Sequence, residues 1–190
     1  NARRKLRAGA EARDYLMTVL LTGLRKREAL DLAWADIDLA AKTLTVEDTK
    51  NHRSHTLPLS DWLFDMLQRR SEEAADGFVF SGPAGRLSNL RYALKRVRED
   101  SGISFCIHDL RRTFATVADS LDVPGYAVKA LLNHKSGDDV TAGYIITDVE
   151  RLRGPMQKIT DFMLRAGGLR ETAEVVQLPS EPAAPFTRER

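Results

Sequence analysis

Residue types that handle anions and protons gather in one run of the chain, Cys106 to Tyr144. His108 and Arg111 lie three apart, so on a helix they occupy neighbouring surface positions. A helix-breaking Asp122-Val123-Pro124-Gly125 follows, then a second short helical stretch, His134, a polar Gly/Asp loop and Tyr144. Cations near one tyrosine form a site for an anionic centre, with the phenol available as a nucleophile. We read that anion as a DNA phosphodiester. Arg112 competes with Arg111 for the cationic role. At roughly 100° per residue, Leu110, Phe114, Val117, Ala118 and Leu121 make a core stripe. Arg112 falls opposite that stripe and Arg111 on its flank. A flanking guanidinium can be half-buried and held rigid, as a preorganised phosphate ligand must be, so Arg111 is the expected ligand. A lone arginine is as often a surface ion-pair partner, so the case needs parts from elsewhere in the chain.

The elements that must position these groups read as α+β, mainly α-helical, with a small antiparallel β-hairpin at one edge. The 190 residues are 43% hydrophobic, enough for a core, and carry a net charge of only +2, so the distribution of charge matters more than its sum. Residues 1–9 are a basic linker without apolar periodicity. Ala10 to Thr22 has helical spacing and ends at Gly23, and Lys26 to Trp34 is a second helix with Ala29, Leu30 and Ala33 inward. Lys42–Glu47 and His55–Leu59 form the hairpin around a polar turn, with Pro58 confining its strand to an edge. Ser60 caps a helix with Trp62, Leu63, Met66 and Leu67 on one face. Phe78-Val79-Phe80 is a short buried run. Ser88 starts a helix that Gly102 ends, with Leu90, Leu94 and Val97 inward and Arg91, Lys95, Arg96 and Arg98 on a basic outer face. Ile145 to Arg165 is amphipathic, its inward side Val149, Leu152, Met156, Ile159, Phe162 and Met163, with Gly154-Pro155 expected to kink or interrupt it. Residues 166–190 read as a flexible tail.

Several classes of chemistry find no footing. There is a single cysteine, Cys106, so no internal disulfide can form. No apolar run approaches membrane-spanning length. The metalloprotease, paired-cysteine and nucleophile-elbow patterns are missing, and His52 and His55 would face opposite sides of an extended strand. No metal and no cofactor is expected. The chain opens on Asn1 without a methionine and is read as a piece of a longer protein.

Five pieces in order give the chain a resemblance to the catalytic domain of the tyrosine recombinase (phage integrase) family. They are Thr22-Gly23-Leu24-Arg25 followed by Glu28 and Leu30-Asp31-Leu32; Thr49-Lys50 in the hairpin turn; His108-Asp109-Leu110-Arg111-Arg112-Thr113-Phe114-Ala115-Thr116; Leu131-Leu132-Asn133-His134; and Tyr144. The resemblance implies a catalytic domain at 10–165, with residues 1–9 as interdomain linker. It implies that Tyr144 attacks the phosphodiester to give a 3′-phosphotyrosine, and that Arg25 and Arg111 hold the non-bridging oxygens. His108 and His134 would add hydrogen bonds or move the tyrosine proton, Lys50 would protonate the leaving 5′-oxygen, and Glu28 would orient a cation. Arginines then stand in for a metal as the electrophile. Two departures stand out. Asn133 replaces the family's usual glycine, and the His134–Tyr144 interval is one position longer than usual.

The expected function is site-specific DNA recombination, for phage or mobile-element integration or excision. The expected partners are double-stranded DNA, met through Arg91, Lys95, Arg96 and Arg98, and three further copies of the chain. Those copies would form a homotetramer in which the C-terminal segment docks on a neighbour. The expected location is the bacterial cytoplasm, on the nucleoid. A type IB topoisomerase would share the chemistry. A non-catalytic helix-turn-helix protein would explain residues 109–133 and leave Arg25, Lys50, His134 and Tyr144 without a role.

Overall fold

The first helix, α1 (Ala2–Thr22), buries Ala12, Tyr15 and Val19, a three-and-four spacing that lays one face against the core. In the computed structural model, which describes residues 2–47, 54–74, 77–82, 85–87, 90–134 and 148–171, this helix already begins at Ala2. Residues 2–9, expected as a basic linker without apolar periodicity, lie within this helix. Alanine, leucine, arginine and lysine are strong helix formers, and a helix already anchored at Ala12 and Tyr15 propagates into them without a new nucleus.

The second helix, α2 (Lys26–Asp31), stops three residues short of the expected Trp34. Leu32 leaves the helix to bury its side chain, and the backbone of 32–34 is claimed by the 77–79 segment: Trp34 N–H donates to the Gly77 carbonyl and Val79 N–H to the Leu32 carbonyl. A 3₁₀ turn at Trp34–Asp36 leads into β1 (Ile37–Asp38), a strand not expected from the sequence. β2 (Thr43–Val46) and β3 (His55–Pro58) form the expected hairpin, with Leu44 opposite Leu57 and both fully buried. The sheet order is β1-β2-β3, so Pro58 does lie on an edge strand. α3 (Asp61–Ser71) buries Leu63, Met66 and Leu67. Ser60 precedes it, but its hydroxyl makes no cap bond; the Asp61 N–H is taken by the Gln157 side chain at 3.0 Å. Val79 and Phe80 are buried, whereas Phe78 is exposed. A short hairpin, β4 (Ser81–Gly82) and β5 (Gly85–Arg86), precedes α4 (Arg91–Ser101). Gly102 ends α4 in the left-handed conformation at φ 69°. Leu90 is buried as expected, but Val97 is 40% exposed.

The core of the site-bearing half is α5 (Ile107–Ser120), packed on α1, with α6 (Gly125–Leu131) and α7 (Val149–Ala166) around it. Its buried residues are Ile107, Arg111, Phe114 and Ala118, while Leu110, Val117 and Leu121 are half-buried. The inward face is therefore turned toward Arg111, which sits within it rather than on its flank. α7 runs unbroken through Gly154-Pro155. Proline removes one backbone donor, and Leu152 and Met156, buried on either side of it, hold the helix together. Leu152, Met156, Ile159 and Leu164 are spent on this chain's own core, with Phe162 exposed. α7 thus packs its apolar face on this chain's own core. Among the described residues, no helix is long and apolar enough to cross a membrane.

Candidate active site

Arg111 is the structural centre of the site. It is 6% exposed, and its guanidinium donates to two backbone carbonyls, Nη1 to Gly23 at 2.5 Å and Nη2 to Leu132 at 2.6 Å. Those carbonyls end α1 and α6, where helices leave acceptors unpaired and carry partial negative charge. The planar fork spans both because its donors diverge in a fixed geometry. Both acceptors are neutral, so the positive charge stays available. Burial, then the nearby Arg25, pulls the Arg111 pKa down to about 10, with Glu28 acting in the opposite direction. Arg112, by contrast, has a side chain 74% exposed and sits 3.6 Å from Asp109.

Gly23 explains its own identity. Its φ is +68°, and a Cβ there would meet Leu132 Cδ2 at 2.7 Å and Phe114 Cδ1 at 2.9 Å. A side chain would be strained by the backbone and would push apart the two surfaces between which Arg111 is held.

Arg25 sits just before α2 in extended conformation. Glu28, nearly buried, grips it twice: Oε2 accepts the Arg25 backbone N–H at 2.8 Å and Oε1 accepts from Nη1 at 2.7 Å. The first bond is the reciprocal half of a capping box, a carboxylate three residues into the helix reaching back to the cap. The same device recurs at α5, where Asp109 Oδ2 accepts the Cys106 N–H at 2.8 Å. That bond holds the Asp109 carboxyl below its usual range. It fixes the entry of α5 and with it His108, exposed in the first turn.

His134 follows α6. The end of that helix is a Schellman motif: Asn133 N–H donates to the Ala130 carbonyl at 3.1 Å and His134 N–H to the Lys129 carbonyl at 3.0 Å. Asn133 takes the left-handed position, φ 47°. This accounts for the departure from glycine, because asparagine is the residue other than glycine that visits this region most readily. Partial desolvation, then the charges of Arg111 and Arg25, lowers the His134 pKa, while the residue itself is exposed.

Arg25, Glu28, His108 and Arg111 line one open cleft of about 1260 Å³. Val46 and Glu47, on the β2 side of the hairpin turn, line it too. Lys50, within that turn, and Tyr144 lie outside the described residues. On α4, Arg91, Lys95 and Arg96 are exposed, as expected of a basic outer face. Arg98 is not on that face. It is half-buried in the cleft wall, its Nε donating to the Phe105 carbonyl at 2.8 Å and its guanidinium 5.8 Å from the Phe105 ring centroid. Among the described residues, no group of histidines, cysteines and carboxylates is arranged to hold a metal ion.

His55, to which no motif points, is buried behind the end of α6. Its ring is 9% exposed, Nε2 lies 2.9 Å from the Ala130 carbonyl, and Glu28, Arg111 and Arg25 all act on it electrostatically. The signal was present: His55 and Leu57 are two apart on a strand and so share its buried face.

The mainly helical domain, its edge sheet and the arginine-centred cleft fit the class of catalytic domain that the sequence resembles. The sequence comparison agrees, since the model of the phage integrase family matches residues 3–151. The chain belongs to the phage integrase family. It is similar to the prophage integrase IntF of Escherichia coli (strain K12), 29% identical over 168 residues, covering 83% of this chain and 35% of IntF. It is also similar to the tyrosine recombinase XerA of Thermococcus kodakarensis, 30% identical over 156 residues, covering 77% of this chain and 55% of XerA. The chain thus spans about half or less of the length of these relatives. Among solved structures, the integrase from mycobacterium phage Brujita superposes with a TM-score of 0.65 at 23% identity, over 79% of this chain and 52% of that one, a likeness of fold.

Proposed function

We propose that this chain is the catalytic domain of a site-specific DNA recombinase that cleaves and rejoins strands through a 3′-phosphotyrosine, serving integration or excision of a phage or another mobile element. One observation carries the reading: a buried arginine held by two neutral carbonyls, beside a second arginine braced by a buried carboxylate. That arrangement is costly in an empty protein and is relieved when a phosphate arrives.

Tyr144 Oη attacks phosphorus, its proton passing to a base or solvent, and the 5′-oxygen leaves with a proton from Lys50. The phosphoester bond is conserved, so the reverse attack by a 5′-hydroxyl rejoins the strand without a nucleotide cofactor. Arg25 and Arg111 take the non-bridging oxygens of the transition state. His108 and His134 donate to the same charge or shuttle the tyrosine proton. His134, held neutral by its surroundings near pH 7, can both accept and donate.

The substrate is double-stranded DNA, with Arg91, Lys95 and Arg96 contacting phosphates from α4 and Arg98 reaching the backbone from the cleft wall. The enzyme works as a homotetramer on paired sites, in the cytoplasm and on the nucleoid. In that tetramer the C-terminal segment docks on a neighbour.

The test uses a pool of nicked duplexes of randomised sequence, in which cleavage next to the nick releases a short oligonucleotide and traps the enzyme. A denaturation-resistant adduct mapping to Tyr144 is expected, abolished in Tyr144→Phe and undiminished in excess chelator. An adduct persisting in Tyr144→Phe refutes the nucleophile. Relaxation of a supercoiled plasmid by the chain acting alone, without pairing of sites, would point to the topoisomerase reading instead.

A further inference from the structure

Among the described residues, His55 is the buried titratable side chain near the cleft that this mechanism leaves without a task. It opens β3, the strand that leaves the turn carrying Lys50. Its Nε2 faces the Ala130 carbonyl. A carbonyl only accepts, so Nε2 carries the proton and Nδ1 is the bare acceptor of a neutral ring. Nδ1 is buried and has no hydrogen-bond partner. An apolar side chain, like that of its strand neighbour Leu57, would fill such a place without leaving a polar atom unpaired.

What the histidine holds gives the reason. The Ala130 carbonyl also accepts the Asn133 N–H, the Lys129 carbonyl accepts the His134 N–H, and the Leu132 carbonyl accepts Arg111 Nη2. A single turn of chain, 129–134, therefore presents His134, grips Arg111 and is tied to β3 through His55. We propose that His55 is a positioning residue of the strand-transfer site, its Nε2–H fixing the end of α6 so that His134 and the Leu132 carbonyl stay in register with β3. Burial keeps the ring neutral by lowering its pKa, consistent with a fixed donor rather than a charge. The inference rests on the recombinase reading for its catalytic consequence, but the tether itself does not.

Three variants of the full chain separate the possibilities. Glutamine can place an amide N–H where Nε2 lies. Asparagine reaches only the Nδ1 position, and leucine fills the volume without a donor. Single-turnover adduct formation is measured at saturating nicked duplex, alongside DNA affinity and the His134 ring resonances of the DNA-free protein. His55→Leu and His55→Asn are expected to slow cleavage about tenfold, the scale of one lost hydrogen bond, with affinity kept within about threefold. Both should shift the His134 resonances. His55→Gln should restore the rate to within about threefold of wild type and return the resonances. Should His55→Leu fail to fold, the Gln–Asn contrast decides. Equal impairment of Gln and Asn, or unchanged His134 resonances in both Leu and Asn, overturns the proposal. If the wild type forms no adduct at all, the recombinase reading falls, and the resonances alone decide the tether.

Discussion

Replacing Arg111 by alanine is the sharpest perturbation the structure offers, with Arg112→Ala beside it. The two residues are adjacent, carry the same charge and differ in placement. Arg111 holds its guanidinium through two donors, one on each terminal nitrogen, and keeps three N–H groups for a phosphate. Removing one preorganised donor to a transition-state oxyanion typically costs about 3–4 kcal/mol, or 10²–10³ in rate. Arg112 loses an exposed contact at 3.6 Å, worth roughly 0.3–0.5 kcal/mol. The fold should survive. Leaving the Gly23 and Leu132 carbonyls unpaired costs about 1–3 kcal/mol each. Against that, a pKa held at about 10 rather than 12.5 corresponds to roughly 3 kcal/mol acting against the buried cation, which the substitution relieves. The net loss is at most about 3 kcal/mol, a Tm fall within about 12 °C for a domain of this size. Adduct formation at saturating nicked DNA, with calorimetry on the same samples, reads both quantities. Arg111→Ala should cleave at least a hundredfold more slowly and Arg112→Ala within about threefold of wild type. Equal losses in the two variants, or Arg111→Ala within threefold of wild type, would refute the placement argument.

Gly23→Ala should destabilise by about 2–5 kcal/mol, combining left-handed strain with contacts at 2.7 and 2.9 Å, and its thermal midpoint should fall accordingly. For pH, the folded-state pKa values of His55 and His134 both lie below the ordinary value of 6.5, so the unfolded chain takes up protons first. Stability should be level above about pH 6.5 and fall as pH drops below it, flattening only beneath the folded-state values; His55→Gln should make that fall shallower in denaturant titrations. Lys95→Gln and Arg96→Gln should each weaken DNA binding and lower the slope of log affinity against log salt by about 0.9, if each contacts a phosphate; an unchanged slope would remove α4 from the interface.

Much of this protein was legible along the chain because the relevant signals are local. The hairpin showed in the alternation of Leu44 and Val46 and in Pro58, and the end of α4 in Gly102. The preference for Arg111 over Arg112 followed from helical phase alone. The pairing of Arg25 with Glu28 is a three-residue spacing that the helix converts into contact. What the sequence obscured depends on neighbours distant in the chain. α2 ends at Asp31 because the 77–79 segment takes the backbone of 32–34. Arg98 reads as one of four outward cations, yet Phe105 draws it into the cleft. α7 stays whole across Pro155 because its apolar face is already buried on both sides.

The sequence by itself determined the candidate inventory of the site: two arginines, two histidines, a lysine and a tyrosine, in the order that the family resemblance implies. Tertiary structure decided their state. It put Arg111 at the meeting of two helix ends 88 and 21 residues away, where carbonyls hold it without neutralising it. It bent the chain left-handed at Gly23 and Asn133 to make those ends available. It also brought His55 across 75 residues to fasten the turn that presents His134. Residue types follow from local pattern. Burial and the sharing of backbone acceptors between remote segments do not, because each acceptor's partner is chosen only when the helices pack.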